Sequence, residues 1–213
     1  MLLSSELRVA LVTNNVAVKD IAESITKMKI QEKARLLHKA LKRDLRISNP
    51  RIAVLSLNPR CGDDGHLGDE EQDIIAPAVA ELGEEGIQAF GPYASDDFFA
   101  SASYMRFDVV MAMYHDQGAG PFKSLTPNDG VRFTTGLPLV RTAPAHGVQF
   151  QIAGKGLAEE GSLRQAIFTA IDVWRNRLQY DEPLADPLQK LYHEKRDDGE
   201  KVRFGKPAFK PKN

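Results

Sequence analysis

The sequence predicts an α/β fold in which helices layer both faces of a largely parallel sheet. Three observations predict it. The runs "LRVALVT" (7–13), "RIAVLSLN" (51–58) and "FDVVMAMYH" (107–115) are apolar almost throughout, as strands buried on both faces are. They alternate with stretches of helical periodicity, which argues for parallel connections. Each also ends in a polar or glycine-rich loop, the place where ligands gather in such sheets.

The elements follow in order. "LRVALVT" opens the chain as its first strand, with no unit before it. Residues 20–46 place Ile21, Ile25, Met28, Leu36, Leu37, Ala40 and Leu41 at helical spacing. Pro50 ends that region, and "RIAVLSLN" reads as a buried strand. The glycine-rich loop "PRCGDDGHLG" (59–68) leads into the helix "DEEQDIIAPAVAELGEEG", whose acidic first turn suits the helix dipole. "FDVVMAMYH" is the next strand, followed by a Gly-Gly-Pro turn. "VRFTTGLPLVRT" (131–142) mixes strand and turn around Gly136 and Pro138. "SLRQAIFTAIDVWRNRLQ" (162–179) reads as an amphipathic helix capped by Ser162. From Tyr180 onward the chain is charged and proline-rich, and its last fifteen or so residues read as a mobile tail. Two readings of this order stay open: a compact single domain, or a chain lacking the front of a larger unit.

Composition narrows the function classes. The 213 residues carry 28 basic and 29 acidic side chains, a net charge of −1, which points to neither nucleic acid nor an anionic membrane as partner. Anion recognition therefore has to be local. Cys61 is the single cysteine, which excludes an intrachain disulfide and fits a reducing compartment, the cytoplasm. "MLLSSELR" is too short and too soon charged for a signal peptide.

The strand ends carry the candidate chemistry. His115 and Asp116 follow an apolar run directly, where a site and a solvated turn are equally good readings. Gly62, Gly65 and Gly68 match neither a P-loop nor the dinucleotide spacing. Lys123 and Arg141 each follow a strand-to-turn transition and are placed to converge on an anion. His146 sits in "APAHGVQ", a base or simply a turn residue. Met105, Met111 and Met113 read as core filler, and His38 and His193 are given no role.

Taken together, "LRVALVT", "RIAVLSLNP", "GDDGHLGDEE", "GPYASDDFF", "AMYHDQG", "GLPLVRT" and "AGKGLAEEGSLRQAI" resemble the 4-hydroxythreonine-4-phosphate dehydrogenases of pyridoxal phosphate biosynthesis. The match runs in order from residue 7 to about residue 179. The resemblance implies a fold similar to isocitrate and isopropylmalate dehydrogenases, with residues 1–179 as an incomplete two-domain unit and 180–213 as an extension. It implies a homodimer with both subunits contributing to each site. The chemistry it implies is NAD-dependent oxidation of a secondary alcohol on a small phosphorylated substrate, followed by decarboxylation. A divalent metal (Zn or Mg) would stabilise the enolate.

Position by position, His115 matches a metal ligand. Asp116 and Asp96 match acidic cleft residues suited to proton transfer or metal support. Lys123 and Arg141 match substrate-binding positions. The departures fall on the same machinery. Asn15 and Arg60 stand where the family has ligand histidines, Arg132 where it has a substrate-binding asparagine, and Ala145 where it has an aspartate. A guanidinium stays protonated and repels a divalent ion. His66 lies nearby, but its family counterpart is not a ligand. The expectation is an anion pocket built on Arg60, Arg132, Lys123 and Arg141, with the isolated chain poor or inactive as a dehydrogenase. Two other readings accompany it: a non-catalytic homologue that dimerises and binds a phosphorylated anion, and an acyl-phosphate transferase of the phosphotransacetylase type.

Overall fold

The computed structural model describes residues 1–148 and 150–187. Among them one sheet has seven strands: β1 (Leu2–Leu3), β2 (Arg8–Leu11), β3 (Arg51–Leu55), β4 (Gln88–Tyr93), β5 (Val109–Ala112), β6 (Val131–Phe133) and β7 (Thr142–Pro144). Their order across the sheet is β4-β3-β5-β2-β1-β6-β7. Strands β4, β3, β5 and β2 run parallel, and the short strands β1, β6 and β7 extend the sheet antiparallel. The α/β expectation holds, with parallel pairing confined to that half of the sheet.

Period-two alternation sorts the central strands between two cores. Ala10, Val12, Ile52, Val54, Val109 and Met111 cluster with helices α2 (Lys27–Asp44) and α3 (Ala76–Glu84). Val9, Ala53, Leu55, Val110 and Ala112 cluster with α4 (Ser95–Ala100) and α5 (His115–Leu125). The three layers follow directly. A third cluster joins Leu3, Val131 and Phe133 to Ala166 and Val173 of α6 (Gly161–Ala185). The same helix is tied to α2 by the buried Arg177–Asp44 ion pair at 2.8 Å, and Arg177 also donates to the carbonyls of Leu137 and Pro138.

Several expectations are corrected. A strand does precede residue 7, since Leu2 and Leu3 pair with Val9 and Arg8. The helical stretch 20–46 is two helices, the short α1 (Ile21–Ser24) and α2, because the Thr26 hydroxyl accepts the Lys29 N–H and restarts the helix. Met28 and Met105 are 67% and 75% exposed, so neither fills a core, whereas Met111 and Met113 are fully buried. β4 and α4 were not predicted. Gly91 and Pro92 lie in β4, an edge strand, where proline is tolerated. The Gly-Gly-Pro segment is helix α5 rather than a turn. Ser162 is not a cap: its hydroxyl donates to the Gly130 carbonyl and accepts the Ala145 N–H. α6 runs through Pro183 to Ala185, beyond the helix end expected at residue 179. His193 and the expected mobile end lie outside the described residues. No described helix is long and apolar enough to cross a membrane.

Candidate functional site: a cationic cleft beside the His115 turn

The parallel strands deliver their carboxyl ends to one edge. Past β2, the Val12 and Thr13 amides donate to the carbonyls of Ala112 and Met113, and the Thr13 hydroxyl donates to Met113 at 2.7 Å. Past β5, the buried Gln117 amide spans two strand ends, accepting the Met113 N–H and donating to the Ser56 carbonyl, each at 2.7 Å. Gln117 thereby fixes the first turn of α5, and with it His115 and Asp116. Gly118 permits this placement. A Cβ there would lie 2.6 Å from Val9 Cγ1, so only glycine lets α5 lie this close to β2.

His115 and Asp116 project from this turn, their side chains 61% and 84% exposed, with Nδ1 of the imidazole 2.9 Å from the Asp116 carboxylate. Together with Thr13, Asn15, Val16 and Tyr114 they line a hollow of about 260 Å³. Asn15, held at φ 53°, forms part of this hollow and also part of a larger cleft of about 520 Å³. The larger cleft is bounded by β1, β2 and α2 and carries the side chains of Lys33, Arg132 and Arg141. The Arg141 guanidinium donates to the Thr134 hydroxyl at 2.9 Å. Among the described residues none of these three cations has a carboxylate within 4 Å. The Met1 amine lines the same cleft. Burial, followed by the charges of Arg132 and Lys33, pulls its pKa from 8.0 down to about 6.

The other expected residues lie elsewhere. Lys123, in the last turn of α5, lines a separate hollow of about 300 Å³ with His146 and Glu159, so it does not share a cavity with Arg141. Asp96 lies exposed in the first turn of α4, and its charge is felt by Cys61, whose thiol is pushed up mainly by burial. Arg60 belongs to that same loop and lines neither the large cleft nor the His115 hollow. The anion pocket expected from Arg60, Arg132, Lys123 and Arg141 therefore reduces to Arg132 and Arg141, joined by Lys33. Lys33 was not foreseen, because nothing in the helical spacing shows that α2 borders β1 and β2.

The loop after β3 has an unusual backbone. Arg60, Cys61, Gly62, Asp63 and Asp64 all have φ between 47° and 82°, a left-handed run that L-residues resist. The buried Glu71 carboxylate anchors the residues just before it, accepting the Leu57 and Asn58 amides at 2.7 Å each. This loop does not fit NAD. Its amides at the strand exit are taken by a carboxylate, and Asp63, Asp64, Asp69 and Glu70 would repel a pyrophosphate.

A divalent metal fits no better. Among the described residues no group of three or more His, Cys, Asp or Glu side chains is placed to hold an ion. Beside His115 stand the amide of Asn15 and a carboxylate already paired with the imidazole.

Comparison with known proteins agrees with the fold and with the motifs. The chain is 56% identical over 204 residues to a 4-hydroxythreonine-4-phosphate dehydrogenase of Bacteroides thetaiotaomicron, covering 96% of this chain and 56% of that protein. It is 45% identical to the Neisseria meningitidis serogroup A protein of the same name, covering 84% of this chain and 54% of the other. The crystal structure of the Klebsiella pneumoniae 4-hydroxythreonine-4-phosphate dehydrogenase superposes with a TM-score of 0.70 at 34% identity, over 81% of this chain and 52% of that one. The chain thus spans about half the length of the curated relatives it matches. The model of the pyridoxal phosphate biosynthetic protein PdxA matches residues 1–170, so the chain belongs to the PdxA family.

Proposed function

We propose that this chain forms the anion-gripping part of a substrate site of the 4-hydroxythreonine-4-phosphate dehydrogenase type, holding a small phosphorylated substrate by fixed positive charge without a metal ion. One observation carries the proposal: Lys33, Arg132 and Arg141 line a single cleft with no carboxylate beside them among the described residues. Two guanidiniums and an ammonium suit the geometry of phosphate and carboxylate oxygens. The resemblance implies oxidation of a secondary alcohol by NAD. Here the chain's own residues bind and orient: Arg141, steadied by Thr134, and Arg132 clamp the anion, while Asn15 lines both this cleft and the hollow of His115.

A reading as a binding protein without dehydrogenase activity is favoured by a second observation, the substitution of Asn15 and Arg60 at positions where the resemblance places metal ligands. A cytoplasmic setting belongs to the proposal and is supported by the single cysteine. So does the homodimer implied by the resemblance, which sedimentation of the purified chain reads directly.

Thermal unfolding in inorganic phosphate and in 4-hydroxythreonine-4-phosphate tests the proposal. Both ligands should raise the Tm, and the rise should disappear in Arg132→Ala and Arg141→Ala. Protection that depends on added Zn or Mg, or that survives both substitutions, overturns it. NADH formation by the isolated chain overturns the second reading alone.

A further inference from the structure

The sequence of α2 places Lys33 one turn before Leu36 and Leu37, and all three line the cationic cleft. The lysine is half-buried along this apolar wall, whereas Arg132 and Arg141 are exposed. Other lysines of the helix are held: Lys27 pairs with Glu81 at 2.8 Å, and Lys29 donates to the Ser24 carbonyl at 3.1 Å. Among the described residues Lys33 has neither kind of partner. Arg132 and Lys33 both act on the Met1 amine, which donates to the Phe133 carbonyl at 2.9 Å, so the two cations lie around one point of the cleft.

The three cations differ in chemistry. A guanidinium keeps its proton and can only grip, whereas a lysine amine can also form a bond to carbon. Arg132 and Arg141, the latter donating to the Thr134 hydroxyl at 2.9 Å, suffice between them for a phosphate. Lys33 is then left over, in a space of about 520 Å³ that a phosphate group does not fill and that Leu2, Leu11 and Phe133 also line. From this arrangement we propose that Lys33 captures a phosphorylated aldehyde as an imine, with the phosphate held by Arg132 and Arg141. The inference rests on the anion-gripping reading of the cleft and adds a covalent step to it. The neutral Lys33 amine adds to the aldehyde carbon; a C–N bond forms as the C=O π bond opens, and the oxygen takes a proton from the nitrogen. The resulting hydroxyl then leaves as water with the remaining N–H proton, and the C=N bond closes. One amine and one aldehyde give one imine and one water, with no oxidant or reductant. The phosphate clamp makes the step selective, because it concentrates the aldehyde beside this lysine.

Two phosphorylated aldehydes serve as probes, pyridoxal phosphate for an aromatic ligand and glyceraldehyde phosphate for an aliphatic one, with pyridoxal as the control lacking phosphate. Each is incubated with the 213-residue chain, the imine is reduced with borohydride, and the modified residue is mapped by peptide mass. The expected result is a single label on Lys33 from at least one phosphorylated probe, and the faster probe tells aromatic from aliphatic. Inorganic phosphate, Arg132→Ala and the change from pyridoxal phosphate to pyridoxal should each slow that label about tenfold or more. Lys33→Met should lose it, while Lys39→Met, in a different hollow, should keep it. Should Lys33→Met fail to fold, the site mapped in the parent decides alone. Label spread over several lysines, label on the Met1 amine instead, or a Lys33 label indifferent to phosphate overturns the inference. Phosphate that raises the Tm of a chain that never labels at Lys33 overturns this step and leaves the anion cleft standing. Absence of phosphate protection overturns both.

Discussion

Arg132 stands where the family resemblance has an asparagine, and the structure places it in one cleft with Lys33 and Arg141. Three like charges in one cleft raise one another's cost until an anion arrives. Removing Arg132 or Arg141 should therefore weaken phosphate binding by roughly tenfold or more each, in line with about 1.5–3 kcal/mol for a charge-assisted hydrogen bond. Titration calorimetry in dilute buffer checks this. The Met1 amine lines the same cleft and is lowered first by burial and then by Arg132 and Lys33. Its pKa is about 6 in the folded chain and 8.0 as the ordinary value, so the unfolded chain binds the extra proton between those two pH values. Stability should accordingly rise from pH 6 to pH 8, by up to about 3 kcal/mol for a shift of this size. A bound phosphate, by offsetting Arg132 and Lys33, should flatten that slope. Urea melts across the window, with and without phosphate, measure both.

Single elements explain why the sequence was legible in some places and misleading in others. The three apolar runs showed their strands because full burial on two faces leaves no polar alternation to confuse. Within "HDQGAGPFKSL" the Gly-Gly-Pro stretch reads as a turn, because two glycines and a proline signal one by local propensity. Its helix is set instead by a tertiary demand, the close approach of Gly118 to Val9. Gly118→Ala should cost about 1–3 kcal/mol through overpacking, and it should disturb the His115 turn in NMR spectra more than any other part. α6 shows the reverse case. Its apolar periodicity was plain, but periodicity does not reveal that Arg177 is buried on Asp44. Arg177→Met leaves that carboxylate buried and unpaired, with an expected loss of about 3–5 kcal/mol in denaturant unfolding.

For the molecule as a whole, the layered architecture and the family were legible, because motifs such as "AMYHDQG" and "GLPLVRT" are local strings. The cleft was only half legible, because Lys33, Arg132 and Arg141 come from three separate elements whose meeting depends on the sheet order. The metal expectation is checked on the intact chain: dialysed protein should retain no stoichiometric zinc or magnesium by elemental analysis, since no described residues assemble a three-donor set. The backbone from Arg60 to Asp64 has one more consequence. A segment in a disfavoured conformation, anchored by Glu71 only at its entry through Leu57 and Asn58, has little to lose by opening, whereas the β3 strand beside it has a whole core to lose. A sparing dose of protease should therefore nick the chain between Pro59 and Gly65 well before global melting, yielding two pieces that still migrate together until denatured.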